Sequence, residues 1–110
     1  MNDFYDTAIV TNHAKKRTKE RLGLSKKSAD KITQKALDFG IKISDTKGSL
    51  RKYLDFLYES HKNSNNTRIY NRKIYLFHNN ICITIINLPN RFNKTCDKIQ
   101  KRINSERKSS

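Results

Sequence analysis

The sequence predicts an α+β fold: three N-terminal helices, then a three-stranded antiparallel meander sheet, then a short C-terminal helix. Three observations carry this. Apolar residues recur at three- and four-residue steps as far as His61. From Lys62 onward the composition turns to Ile, Tyr, Phe and Thr with Asn-rich punctuation. Glycine or asparagine stands at most of the joints between these stretches. At 110 residues the chain has room for one α+β domain, assigned to residues 1–92, with 93–110 as a basic C-terminal helix or tail.

Phe4, Tyr5, Ile9 and Val10 are enough to pin a lead-in segment to a core. Thr11 or Asn12 then caps a first helix over about 13–22, and Gly23 supplies its left-handed stop. Ser25 caps a second helix that ends at Gly40 and carries Ala29, Ile32, Ala36 and Leu37 on one face. Ile41 is expected to fold back on its last turn. Ser49 caps a third, with Leu50, Tyr53, Leu54, Leu57, Tyr58 and His61 on one stripe. Strands follow at about 67–71, 73–78 and 81–88. Asn79-Asn80 suits a two-residue hairpin turn, and Asn71-Arg72 is a poorer version of it. A last helix from Thr95 has Ile99 and Ile103 as apolar anchors.

The formal net charge is +14, spread along the chain rather than confined to one tail. So strong a field is costly to fold and favours a polyanion: RNA or another nucleic acid, or a host nucleoprotein complex. An apolar run long enough to span a bilayer is lacking, and no membrane partner is expected. Two lone cysteines, Cys82 and Cys96, with three scattered histidines, have no zinc spacing. The expectation is a cytoplasmic protein with reduced thiols, no metal and no cofactor, as a monomer or homodimer.

The stretch HAKKRTKERLG, residues 13–23, holds five Lys and Arg side chains and can bury little. At 100° per residue, His13, Arg17 and Arg21 share one stripe, beside a narrow strip of Ala14, Thr18 and Leu22. Lys15, Lys16 and Lys19 face outward. Two guanidiniums beside an imidazole suit a phosphate. Registering the strands on two-residue turns puts Ile69, Ile74, Leu76, Ile81, Ile83 and Ile85 on a core face. Arg68, Tyr75 and Thr84 then form a row on the opposite, half-covered face, with Lys73 near it. No Asp or Glu occurs between Glu59 and Asp97, so the sheet has no carboxylate for Mg²⁺. The remaining chemistry is metal-independent phosphodiester cleavage. His13 or Tyr75 would be base or acid, Arg17, Arg21 and Arg68 the clamp, and Thr84 a further polar group at the site.

The order HAKKRTKERLGL, ALDFGI, TRIYNRKIYLF and ITIINLP resembles small phage and prophage proteins of the barnase–EndoU–colicin–RelE-like superfamily, in the branch with a His-Ala-x-x-Arg-x-x-x-Arg helix. The likeness covers about residues 11–89. It implies helices followed by a curved antiparallel sheet and toxin-like, metal-independent RNA cleavage. By it, His13, Arg17, Arg21 and Thr84 match site positions, and Arg68 and Tyr75 match less closely. A convincing second histidine is lacking. Two functions follow as expectations: an RNA-binding, endoribonuclease-like phage or prophage protein, or a non-catalytic phage-encoded nucleic-acid binder or inhibitor of a host defence complex. Nucleic-acid binding, through Lys15, Lys16, Lys19, Arg68 and Lys73, is common to both.

Overall fold

The computed structural model describes residues 7–109. Phe4 and Tyr5 of the lead-in segment lie outside the described residues. Ile9–Val10 form strand β1, and helix α1 (Asn12–Leu22) follows at once. Thr11 makes that junction: its Oγ1 accepts from the Ala14 N–H at 3.1 Å and donates to the Cys82 carbonyl at 3.0 Å. Gly23, at φ 67°, closes the helix with its N–H on the Lys19 carbonyl. Helix α2 (Lys26–Phe39) starts from a Ser25 cap and runs to Gly40.

Gly40 is not a left-handed stop, because its φ is −68°. It is required for space. A Cβ there would collide with the Ala36 carbonyl oxygen and meet Arg68 Cβ at 3.0 Å. That close approach lets Ile41–Lys42 leave the helix as strand β2 and pair with Ile69 and Arg68, instead of folding back on the helix. Helix α3 (Gly48–Ser60) starts from Lys47, two residues before the expected Ser49 cap, with no side-chain cap bond. Strands β3 (Asn66–Tyr70), β4 (Lys73–His78) and β5 (Ile81–Asn87) follow, and then helix α4 (Asn93–Ser109).

The fold differs from the one the sequence predicts. The three antiparallel strands are the middle of a five-stranded mixed sheet of order β1-β5-β4-β3-β2, with β1 parallel to β5. Two-residue edge strands have no period to recognise, which is why patterning alone misses them. The fourth helix is also 17 residues long rather than short. Its Cys96, Ile99 and Ile103 pack into the core, and Gln100 Nε2 donates to the Phe39 carbonyl at 2.8 Å.

Both faces of the sheet are covered. On one side Ile69, Ile74 and Leu76 meet Leu50, Leu54 and Leu57 of α3, with Phe92 and Cys96. On the other, Tyr75, Phe77, Cys82 and Ile85 meet Val10, Ala14 of α1 and Ala36 and Leu37 of α2. Four successive residues of β4, Ile74 to Phe77, are accordingly at most 1% exposed, as a strand covered on both faces requires. The expected half-covered face is therefore a second core.

The register also departs from expectation. Phe77 pairs with Cys82 and Leu76 with Thr84, so β5 carries one extra residue, Ile83, at a bulge. Side chains after it change face: Ile85 stands opposite Tyr75, and Thr84 opposite Leu76. The row Arg68–Tyr75–Thr84 becomes Arg68–Tyr75–Ile85. At the β3–β4 hairpin, Asn71 and Arg72 both have positive φ, 49° and 63°, whereas only Asn79 does at the β4–β5 turn. The turn with the poorer sequence is the one with two left-handed residues.

Candidate nucleic-acid interface

Helix α1 has few apolar residues, and it docks by small ones. Ala14 and Thr18 are fully buried, and the Thr18 hydroxyl returns a bond to the Ala14 carbonyl at 2.8 Å, so no polar group is stranded at the contact. Polar bonds to β5 secure both ends of the helix. Thr11 binds the Cys82 carbonyl, and Arg21 Nε donates to the Ile85 carbonyl at 3.0 Å. The outer side is left to His13, Lys16, Lys19, Glu20 and Arg21, all exposed, with Lys15 and Arg17 partly so.

Two hollows border this helix, one along its length and one at its last turn. The first, about 680 Å³, is bordered by Lys15, Lys16 and Lys19 with Asn12, Leu24 and Ser25, and includes no carboxylate. The second, about 500 Å³, lies between Arg21, the β3–β4 turn with Arg72 and Lys73, and Asn87, Asn90 and Asn93 at the entry to α4. Glu20 borders it too, but that carboxylate takes the Arg17 guanidinium at 2.6 Å. Arg72 binds Asp97 at 2.5 Å, and this pair raises the arginine pKa and holds the Asp97 carboxyl below its usual range.

The residues expected to form one catalytic pocket are dispersed. His13 is exposed in the first turn of α1, and Arg17 is engaged with Glu20. Tyr75 is 0% exposed beneath α1 and α2, and desolvation pushes its phenol far above its ordinary value of 10.0. It therefore cannot exchange a proton with a solvent-borne phosphate. Thr84 is carried by the bulge to the other side of the sheet. Arg68 is 7% exposed; its Nη1 donates to the Leu37 carbonyl in the last turn of α2, and its Nε to Asn66 Oδ1 at 3.0 Å. It finishes a helix terminus, where cations are favoured. Lys15, Lys16 and Lys19 do come together, and Arg21 meets Lys73 in the second hollow.

Other nucleophiles and bases are no better placed. Burial pushes the Cys82 thiol up to about 12 and Cys96 to about 11, so both are protonated at neutral pH. His61 closes α3, with Nδ1 3.1 Å from the Leu57 carbonyl. Among the described residues no three His, Cys, Asp or Glu side chains are grouped to hold a metal ion.

Arg72, Asn87, Asn90 and Asn93 are the residues sequence reasoning misses. The available signal was an arginine where a two-residue turn favours glycine, and a run of asparagines after the last strand. No protein-family model, no curated protein and no solved structure matches the chain.

Proposed function

We propose that this chain binds RNA through the two basic hollows that border α1, as a binder rather than a nuclease. One observation carries the reading: helix α1 commits Lys15, Lys16, Lys19 and Arg21 to two hollows whose borders hold a single carboxylate, itself engaged by Arg17. A concave surface with this excess of cations concentrates phosphate. RNA as the polymer accords with the likeness of the His-Ala-x-x-Arg-x-x-x-Arg helix to RNA-acting proteins. Binding is favoured over cleavage because the proton-transfer groups do not converge. His13 is at the surface, Tyr75 in the core and Thr84 on the opposite face of the sheet, whereas cleavage needs acid, base and clamp about one phosphate.

The test is fluorescence anisotropy with a labelled single-stranded RNA across a salt series. Log K should fall linearly with log salt. Lys15→Gln, Lys16→Gln and Lys19→Gln together should reduce the slope by about 2, as expected for three lost phosphate contacts on a single strand. The RNA should remain intact in EDTA. Salt-insensitive binding would overturn the electrostatic reading, and cyclic-phosphate ends in the product would restore the nuclease one.

A further inference from the structure

We infer that the hollow between Arg21, Lys73, Asn87 and Asn93 is a nucleotide pocket, seating one phosphate of the bound strand with its attached ribose. This rests on the RNA-binding reading and adds where a single unit of the strand is held.

The cations are arranged for the purpose. Arg21 uses Nε on the Ile85 carbonyl, which fixes the plane of its guanidinium and leaves the two terminal nitrogens for a ligand. Lys73 is half-buried at the start of β4, and its ammonium has no hydrogen-bond or ion-pair partner among the described residues. An ammonium without a partner on the same border as two arginines gives an anion several donors to engage at once.

Arg72 supplies the second guanidinium from a strained position. It holds φ 63°, where an L side chain costs energy that glycine would avoid, and Asp97 anchors it there. Asp97 takes the arginine's Nε and Nη2, which leaves Nη1 for a ligand.

The asparagines match the rest of a nucleotide. The side-chain amides of Asn87, Asn90 and Asn93 make no hydrogen bond among the described residues, and Asn93 Oδ1 is buried without a partner. An amide that nothing holds can rotate to accept from a ribose hydroxyl or donate to a sugar or base oxygen. A volume of about 500 Å³ is in the range of small-molecule sites and accommodates one nucleotide.

The experiment is an amide NMR titration of the full chain with adenosine monophosphate and, separately, with adenosine. The monophosphate should shift the amides of Lys73, Asn87 and Asn90, and adenosine should not. Lys73→Gln should weaken monophosphate binding about tenfold, the loss of roughly 1.4 kcal/mol for one charge-assisted contact. Arg72→Gly should weaken it too while raising the melting temperature, so that the loss is not one of folding. Lys52→Gln, exposed on α3, should leave it unchanged. Shifts confined to the Lys15/Lys16/Lys19 groove, or none while labelled RNA still binds, would overturn the pocket and spare the RNA reading. Absence of binding by both nucleotide and RNA would remove both.

Discussion

The phenol of Tyr75 is a proton donor that nothing receives. It is 0% exposed, and its oxygen has no hydrogen-bond partner, so folding strips it of water without replacement. Tyr75→Phe should raise stability by about 1 kcal/mol and leave RNA affinity unchanged, as read from urea unfolding and anisotropy. A loss of stability would show that the hydroxyl is bonded after all. Cys82, in the same core, gives a pH dependence. Burial raises the thiol from 9.0 to about 12, so its contribution is complete below about pH 9 and is lost as pH rises toward the folded value. Cys82 should therefore account for a drop of on the order of 2 kcal/mol in the free energy of unfolding between about pH 8 and about pH 10.5, beside a comparable one from Cys96, and Cys82→Ala should make the decline about half as steep. The periodicity of β4 shows that Tyr75 alternates with Leu76. It cannot show that small residues of two helices, Ala14 and Ala36, close over the phenol.

Helices are the elements most legible in this sequence. Thr11 and Ser25 cap α1 and α2 as their side chains suggest, and Leu50, Leu54 and Leu57 face the core as their spacing requires. The sheet is less legible for two physical reasons. Strands of two residues, Ile41–Lys42 and Ile9–Val10, are too short to alternate. The bulge at Ile83 reverses every later side chain of β5, and nothing in a run of Ile, Cys and Thr marks where an extra residue is inserted. Gly40 is where α2 and β2 meet, and it is the position to test. Gly40→Ala should cost about 2 kcal/mol, because the new methyl group meets backbone at Ala36 rather than a side chain able to turn aside. Chemical denaturation measures it; a neutral result would mean that β2 can shift away from α2 at no cost.

At the scale of the molecule, the charge pointed to a polyanion partner and the layering decides where one can sit. Among the described residues a sheet covered on both faces leaves no open surface for a strand of RNA to lie across, so the proposed ligand is confined to helix borders and sheet ends. Of the residues singled out from sequence, those that stand at such borders, Lys15, Lys16, Lys19, Arg21 and Lys73, are still candidates. Those on the sheet interior, Arg68 and Tyr75, have become structural. The difference is burial by elements distant in sequence, which no local pattern encodes.

The pairing of β1 with β5 also bears on how the protein is made. Thr11 and Ile83, 72 positions apart, are joined across this border, so β1 and α1 must wait for β5 to leave the ribosome before they find their seat. A message cut short before β5 would yield a chain with its basic helix unanchored, a substrate for proteases rather than a weaker version of the protein.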